Sequence, residues 1–363
     1  MIYLDHAATT PLCSVAKQAI IDHLDTYGNP SSVHEFGRFS RLAIEDSRER
    51  IAKCINAEPD EIYFTSGGSE ANTWVVNNYI TLSSCFEHHS LNAHCNSAYI
   101  DRYGIVDTNF FSFINHPRPG YFELESCMHV NNELGTIQPI KEIATIAHGK
   151  RMLFHTDAVQ SIGHIYIDVK DLNCDMLSAS AHKFNGPKGV GFLYVKNGVK
   201  IKPLINGGKQ ESGLRPGTEN VLGIISMAAA LEDAVQHMEE RNAHIRSLRN
   251  KMLDRLLEIP GSHLNGSLEN RVPGNINIRF SGVSGARLVT LCSLYGIYIS
   301  SGSACNEGIS EPSHVLKAIG LSDEEALSSV RITIGHTNTE QEIDMATKII
   351  AKLIERIRDE DRT

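Results

Sequence analysis

Short apolar runs alternate along this chain with segments of helical periodicity, and each run closes on small or polar residues. Glu61-Ile-Tyr-Phe-Thr-Ser66 leads into Gly67-Gly-Ser-Glu-Ala-Asn72, Met152-Leu-Phe-His-Thr-Asp157 into Ala158-Val-Gln160, and Asp171 to Ser180 into Ala181-His-Lys183. Strand-length runs separated by helices predict an α/β fold, a mixed and mostly parallel sheet flanked by helices. Ligands of such sheets bind in the crevice at the strands' carboxyl ends. Four polar clusters are expected there: Ser69, Asn132, Asp157 with Gln160, and His182 with Lys183.

A chain of 363 residues exceeds the usual single-domain size. Residues 1–11 read as an extended arm, followed by a helix with Val15, Ala19, Ile20 and Leu24 on one face. A second helix, Phe36 to Ile55, turns Leu42, Ile44, Ile51 and Cys54 inward. The stretch from Ser83 to Asn131 is the least patterned; glycines and prolines make 104–122 loop, and 122–130 tends to strand. Gly189 to Val195 is a further strand, and 207–220 is a polar, glycine-rich loop. One long helix is expected from Val221 to about Glu258. A fresh alternating strand, Asn275-Ile-Asn-Ile-Arg-Phe280, follows Pro260. The boundary therefore falls inside the long helix: residues 12–245 form a large domain, and 1–11 with 246–363 a smaller α+β domain. That second unit carries a small-residue loop with Cys305 at its tip, a strand with Arg331, and a last helix from Glu340.

Composition narrows the function. A net charge of −9 without a basic block argues against a dedicated nucleic-acid surface. There is no apolar run of membrane-spanning length and no leader pattern at the start, so a cytosolic protein is expected. The eight cysteines lack paired spacing and are expected to be thiols. Cys85, His88, His89, His94 and Cys95 cluster, but with neither a knuckle repeat nor one-turn helical spacing, which argues against a metal site.

The polar clusters instead suit an aldehyde-bearing, phosphorylated, nitrogen-ring cofactor. Lys183, shielded at a strand end, can lose its proton and attack an aldehyde. The Gly67-Gly68-Ser69 turn opens a helix and offers amide hydrogens to a phosphate. Asp157 can keep a ring nitrogen protonated, Arg331 can take both oxygens of an amino-acid carboxylate, and Cys305 can attack sulfur. Taken singly, each has a plainer reading as a surface lysine, an ordinary turn or an inert cysteine; their convergence points to pyridoxal 5′-phosphate.

The ordered motifs Tyr3-Leu-Asp-His-Ala-Ala-Thr-Thr-Pro11, Gly28-Asn-Pro-Ser-Ser32, Phe64-Thr-Ser-Gly-Gly-Ser-Glu70, Glu87-His88, His129-Val-Asn-Asn-Glu133, Asp157-Ala-Val-Gln160, His182-Lys183, Arg215-Pro-Gly-Thr218 and Ser301-Gly-Ser-Ala-Cys305 run nearly the whole length. In these the sequence resembles the NifS/IscS-like cysteine desulfurases, class V aminotransferases of pyridoxal-phosphate fold type I, with the group I form of the cysteine loop. The resemblance implies that Lys183 holds the cofactor covalently, Cys305 forms the persulfide, and His88 stacks on the ring and helps move protons. It implies that Asp157 binds the ring nitrogen, with Gln160 and Asn132 near the ring hydroxyl. Gly68, Ser69, Ser180 and His182 would hold the phosphate, with Thr218 reaching it from the other subunit of a homodimer. Arg331 and Asn132 would bind the substrate, L-cysteine, and a separate protein would accept the sulfur for iron-sulfur clusters, tRNA thiolation or DNA phosphorothioation. The chain departs from the pattern at Ser69, at Glu125, where the strand is usually apolar, at His336, and in a shortened segment between His88 and Asn132. Another class V aminotransferase or lyase, and a non-enzymatic scaffold that binds the cofactor, are the competing readings.

Overall fold

A computed structural model describes residues 1–91, 100–109, 123–301, 305–306 and 309–360; at 305, 306, 309 and 310 it describes the backbone alone. The N-terminal arm begins with a two-residue strand, β1 (Ile2–Tyr3). Six strands build the large sheet: β2 (Ile62–Thr65), β3 (Thr81–Ser83), β4 (Leu124–Ser126), β5 (Leu153–Asp157), β6 (Met176–Ser180) and β7 (Gly191–Val195). Their order is β2-β7-β6-β5-β4-β3. β3 to β6 run parallel, and β7 is antiparallel to both β6 and β2. Every residue of β6 and β7 is buried, as central strands covered on both faces must be. One cover contains Ile44, Ile51, Phe64, Phe154 and Leu231; the other contains Trp74, Leu124, Met176 and Leu193.

A second hydrophobic cluster lies under a small four-stranded antiparallel sheet. The strands of this part of the chain are β8 (Ser262–Leu264), β9 (Asn275–Phe280), β10 (Ile297–Tyr298), β11 (Ser300–Ser301), β12 (Cys305–Asn306), β13 (Ile309–Ser310) and β14 (Ser329–Thr333). Four of them pair in the order β11-β14-β9-β8, β12 pairs with β13, and β10 pairs in parallel with β1. Helix Glu340–Glu360 buries Ile343, Ile350, Leu353 and Ile357 here, the spacing of one helical face. No helix among the described residues is long and apolar enough to cross a membrane.

Several sequence expectations are corrected. The single helix from Val221 to Glu258 is two, Val221–Gln236 and Met238–Leu257. At the break the Asp233 carbonyl accepts from the His237 amide, the His237 ring and Arg241. The strand expected from Asp171 begins only at Met176, because the Asp168 carboxylate caps a helical turn, Val169–Leu172, that Asn173 closes at φ 54°. Strand β4 is shorter than the 122–130 run. Leu42, expected inward, is 65% exposed; of the residues expected on one face of the first helix, Val15 is 41% exposed, and Leu24, 59% exposed, lies past the end of helix Ser14–Asp22. The loop expectation for 104–122 falls largely outside the described residues, as do His94 and Cys95.

Glu125 sits in β4 opposite Leu82 and Phe154 and is 2% exposed. Burial, with the nearby Glu87, pushes its pKa well above the ordinary range, against a partial opposing pull from Lys150. Glu87 is itself pushed up to about 8 by burial, although it accepts from Ser84 and the Met128 amide. One oxygen of each carboxyl has no hydrogen-bond partner among the described residues. Both groups are therefore held protonated in the fold. Their contribution to stability is complete below about pH 4, where the unfolded chain also keeps them protonated. For Glu87 it is lost as the pH rises through about 8, and for Glu125 as the pH rises towards its own raised pKa. Calorimetry of Glu125→Gln should show a higher melting temperature than wild type at pH 8 and a clearly smaller gain at pH 5; equal gains at both would contradict this account.

Candidate active site

The strand ends and the N-terminal arm enclose a cavity of about 280 Å³. Gly68, Ser69 and His88 border it, as do Asn132, Asp157 and Gln160, together with Ser180, His182, Lys183 and Arg331. Lys183 ends the turn Ala181–Lys183 that leaves β6. Its Nζ donates to the carbonyls of Ala7 at 2.5 Å and Ala8 at 2.9 Å. Burial and the nearby Arg331 hold its pKa down to about 8, against the opposing pull of Asp157 and Asp5. An amine with this pKa is about one-tenth deprotonated at pH 7 and half deprotonated at about pH 8, which suits it to nucleophilic or base chemistry.

Asp157 closes β5 and is 4% exposed. Its carboxylate accepts from Asn72 Nδ2 at 2.7 Å and from the Val159 amide at 2.9 Å, and among the described residues it forms no ion pair. Helix Gly68–Asn78 starts without a side-chain cap, and its first residues Gly68 and Ser69 border the cavity together with Ser180, placing the positive end of the helix dipole there. Gly67, at φ 152°, holds the turn open: a Cβ there would stand 3.3 Å from the Ser180 hydroxyl. His182 meets Thr9 Oγ1 through Nδ1 at 3.1 Å, and burial with the Lys183 and Lys188 charges keeps its ring neutral, with a pKa lowered to about 4.

Arg331 rises from β14 and is 8% exposed. Nη1 donates to the Asn132 carbonyl at 2.9 Å and Nη2 to Asp5 Oδ1 at 2.9 Å, while Nε has no hydrogen-bond partner among the described residues. Gln160 Nε2 donates to the Ala7 carbonyl at 2.9 Å. Thr218 is exposed and does not border the cavity. Cys305 pairs through its backbone with Ser310; its thiol lies outside what is described. Among the described residues no cluster of His, Cys, Asp or Glu could hold a metal.

Sequence reasoning missed Asn72, Ser90, Ala7 and Ala8. Asn72 lies three residues beyond Ser69, so helical period alone could have found it. The alanines act through carbonyls, which leave no side-chain signal.

The chain matches the Aminotransferase class-V family over residues 2–345. It belongs to that family. It is 41% identical to a protein named cysteine desulfurase IscS from Methanosarcina thermophila, over 98% of this chain and 93% of the relative. A solved NifS-like protein superposes with a TM-score of 0.90 at 34% identity, covering 98% of this chain and 99% of that one. SspA, solved in complex with cysteine, gives 0.79 at 32% identity, covering 93% and 100%. The class V cofactor is pyridoxal 5′-phosphate, and the cavity fits it chemically. A buried carboxylate that forms no ion pair among the described residues suits a protonated ring nitrogen, the uncapped helix start with two hydroxyls suits a phosphate, and a depressed lysine suits an aldehyde.

Reductive ¹³C-methylation of the cofactor-free protein should give one lysine signal that titrates near pH 8 and is absent from Lys183→Arg. In Arg331→Leu that midpoint should move up, since a neighbouring cation is gone; a wild-type midpoint above 10, the ordinary lysine range, would contradict the assignment.

Proposed function

We propose that this class V protein is a cysteine desulfurase. L-Cysteine and the Cys305 thiol give L-alanine and a persulfide on Cys305: the carbon–sulfur bond of the substrate breaks, a sulfur–sulfur bond forms, and the thiol's hydrogen is made up on the product's methyl group. The observation that carries this reading is a low-pKa lysine sharing one cavity with a buried carboxylate that forms no ion pair, and an arginine whose Nε has no partner, among the described residues. Near-full-length likeness to proteins named cysteine desulfurase supports it.

Pyridoxal phosphate, when bound, supplies a sink for the charge that develops at the substrate α-carbon. Asp157 would keep its ring nitrogen protonated, with Gln160 and Asn132 beside the ring. Gly68, Ser69, Ser180 and His182 would hold the phosphate. Lys183, released from the cofactor, would take and return the α-proton, a task its depressed pKa suits. The Arg331 guanidinium, with an idle Nε, would receive the substrate carboxylate, assisted by Asn132. His88 would cover the ring face and share in proton movement. The persulfide sulfur would pass to a separate acceptor protein.

We also infer a homodimer. Tyr27 stacks on Phe36, and Phe36, Phe39 and Leu42 form an exposed stripe at one-turn spacing on helix Glu35–Cys54, 53%, 55% and 65% exposed. Such a pairing would let Thr218, exposed on its own subunit, reach the partner's phosphate site. The larger unit is best ended near His237 rather than at residue 245, because Ile245 already packs in the second cluster. Thiols at Cys13, Cys54, Cys127, Cys174 and Cys292 support a reducing, cytoplasmic setting.

Lys183→Ala should lose the yellow cofactor band and sulfide release from L-cysteine, whereas Cys305→Ser keeps the band and loses sulfide release. Unchanged sulfide release by Cys305→Ser, or amino transfer to a keto acid at comparable rate, would instead favour another class V reaction. Phe36→Glu with Phe39→Glu should halve the sedimenting mass of the wild-type particle; wild-type protein that already sediments as a monomer would refute the dimer.

A further inference from the structure

Asn72 lies on helix Gly68–Asn78 and is 1% exposed. Its side-chain amide commits its hydrogens in two directions: Nδ2 donates to Asp157 Oδ2 at 2.7 Å and to Ser90 Oγ at 2.9 Å. Ser90 Oγ in turn lies 2.7 Å from His88 Nδ1, and the Ser90 backbone N–H donates to that same nitrogen at 3.2 Å. A backbone amide can only donate, so Nδ1 presents its lone pair and the neutral ring carries its hydrogen on Nε2. The Ser90 hydroxyl, accepting from Asn72, spends its own hydrogen on Nδ1.

The direction of these bonds decides what the network can do. An amide nitrogen gives its hydrogens away and accepts none, so no proton passes between His88 and Asp157 through Asn72. The network sets geometry and tautomer; it is not a proton wire. We propose that Ser90, held in place by Asn72, is the positioning residue that locks His88 as the Nε2–H tautomer at the cofactor cavity, while the same amide orients the Asp157 carboxylate. Its part in turnover rests on the desulfurase reading; the tautomer does not.

Bonds into Nδ1 favour the neutral ring, because a protonated Nδ1 has no lone pair to accept them. They add to the other groups that face His88. Packing, His89 and Lys183 lower its pKa, and Asp157 raises it. His314, whose ring centroid is 4.9 Å from that of His89, adds a further weak repulsion.

The test is ¹⁵N NMR of histidine-labelled protein, with and without cofactor, the His88 signals being assigned by their absence in His88→Gln. Wild type should show the Nε2–H form. Ser90→Ala leaves only the longer bond from the residue 90 backbone N–H, so the Nε2–H form should be less dominant and the His88 titration about half a pH unit higher, the worth of one hydrogen bond. The acid limb of kcat/KM for L-cysteine should move with it, and Ser90→Thr, which keeps the hydroxyl, should restore all three. Wild-type tautomer and titration in Ser90→Ala would overturn the proposal, as would equal disturbance in Ser90→Thr, which would make packing the cause. Were Ser90→Ala not to fold, wild type alone decides: a His88 hydrogen on Nδ1 overturns it. The cofactor-free spectra read the tautomer even if the protein proves to catalyse another reaction.

Discussion

Two backbone carbonyls, those of Ala7 and Ala8, hold the lysine around which this molecule is arranged. Carbonyl oxygens satisfy a buried amine without neutralising it, so Lys183 is anchored yet keeps a low pKa, which a carboxylate partner would have raised. The same Ala7 oxygen also receives Gln160. The arm that carries these carbonyls is fixed from the other unit: β1 pairs with β10, the Ala7 amide donates to Thr333 Oγ1 at 2.9 Å, and Asp5 bridges to Arg331. One extended segment thus ties both hydrophobic clusters to the reactive amine.

The two best-buried arginines of the large unit and the cavity show opposite designs. Arg48 is saturated: its fork meets both oxygens of Glu211 at 2.7 and 2.9 Å and the Ile62 carbonyl at 2.5 Å. Glu211 also accepts from the Phe64 amide, so the pair pins the glycine-rich loop to β2. Arg331 is equally buried but keeps an unpaired Nε. A buried donor left without a partner is costly, and that cost is tolerable where a ligand would supply the missing acceptor.

Much of this was legible in the chain. Strand-length runs ending in polar residues located six cavity residues, Ser69, Asn132, Asp157, Gln160, His182 and Lys183, because the ends of parallel strands converge, and a residue's place in such a run fixes which end it occupies; His88 and Ser180 came from the family resemblance. Leu42 was misread because helical periodicity reports an apolar face without saying what covers it. The break at His237 was invisible because apolar spacing continues across it while the two halves pack in different clusters. Glu125 ran the other way: it breaks the strand's apolar pattern, yet the fold buries it and keeps it protonated.

The sequence by itself determined the α/β alternation, the order of the motifs and the identity of the lysine, carboxylate and arginine, because these depend on local pattern and on side-chain chemistry. Only the tertiary structure decided that the amine rests on the N-terminal arm's carbonyls and that Asn72 joins Asp157 to Ser90 and His88. Lys183 to Ala7 and Asn72 to Asp157 join residues far apart along the chain, the first through a main-chain atom common to every residue, so residue type and spacing announce neither of those two contacts.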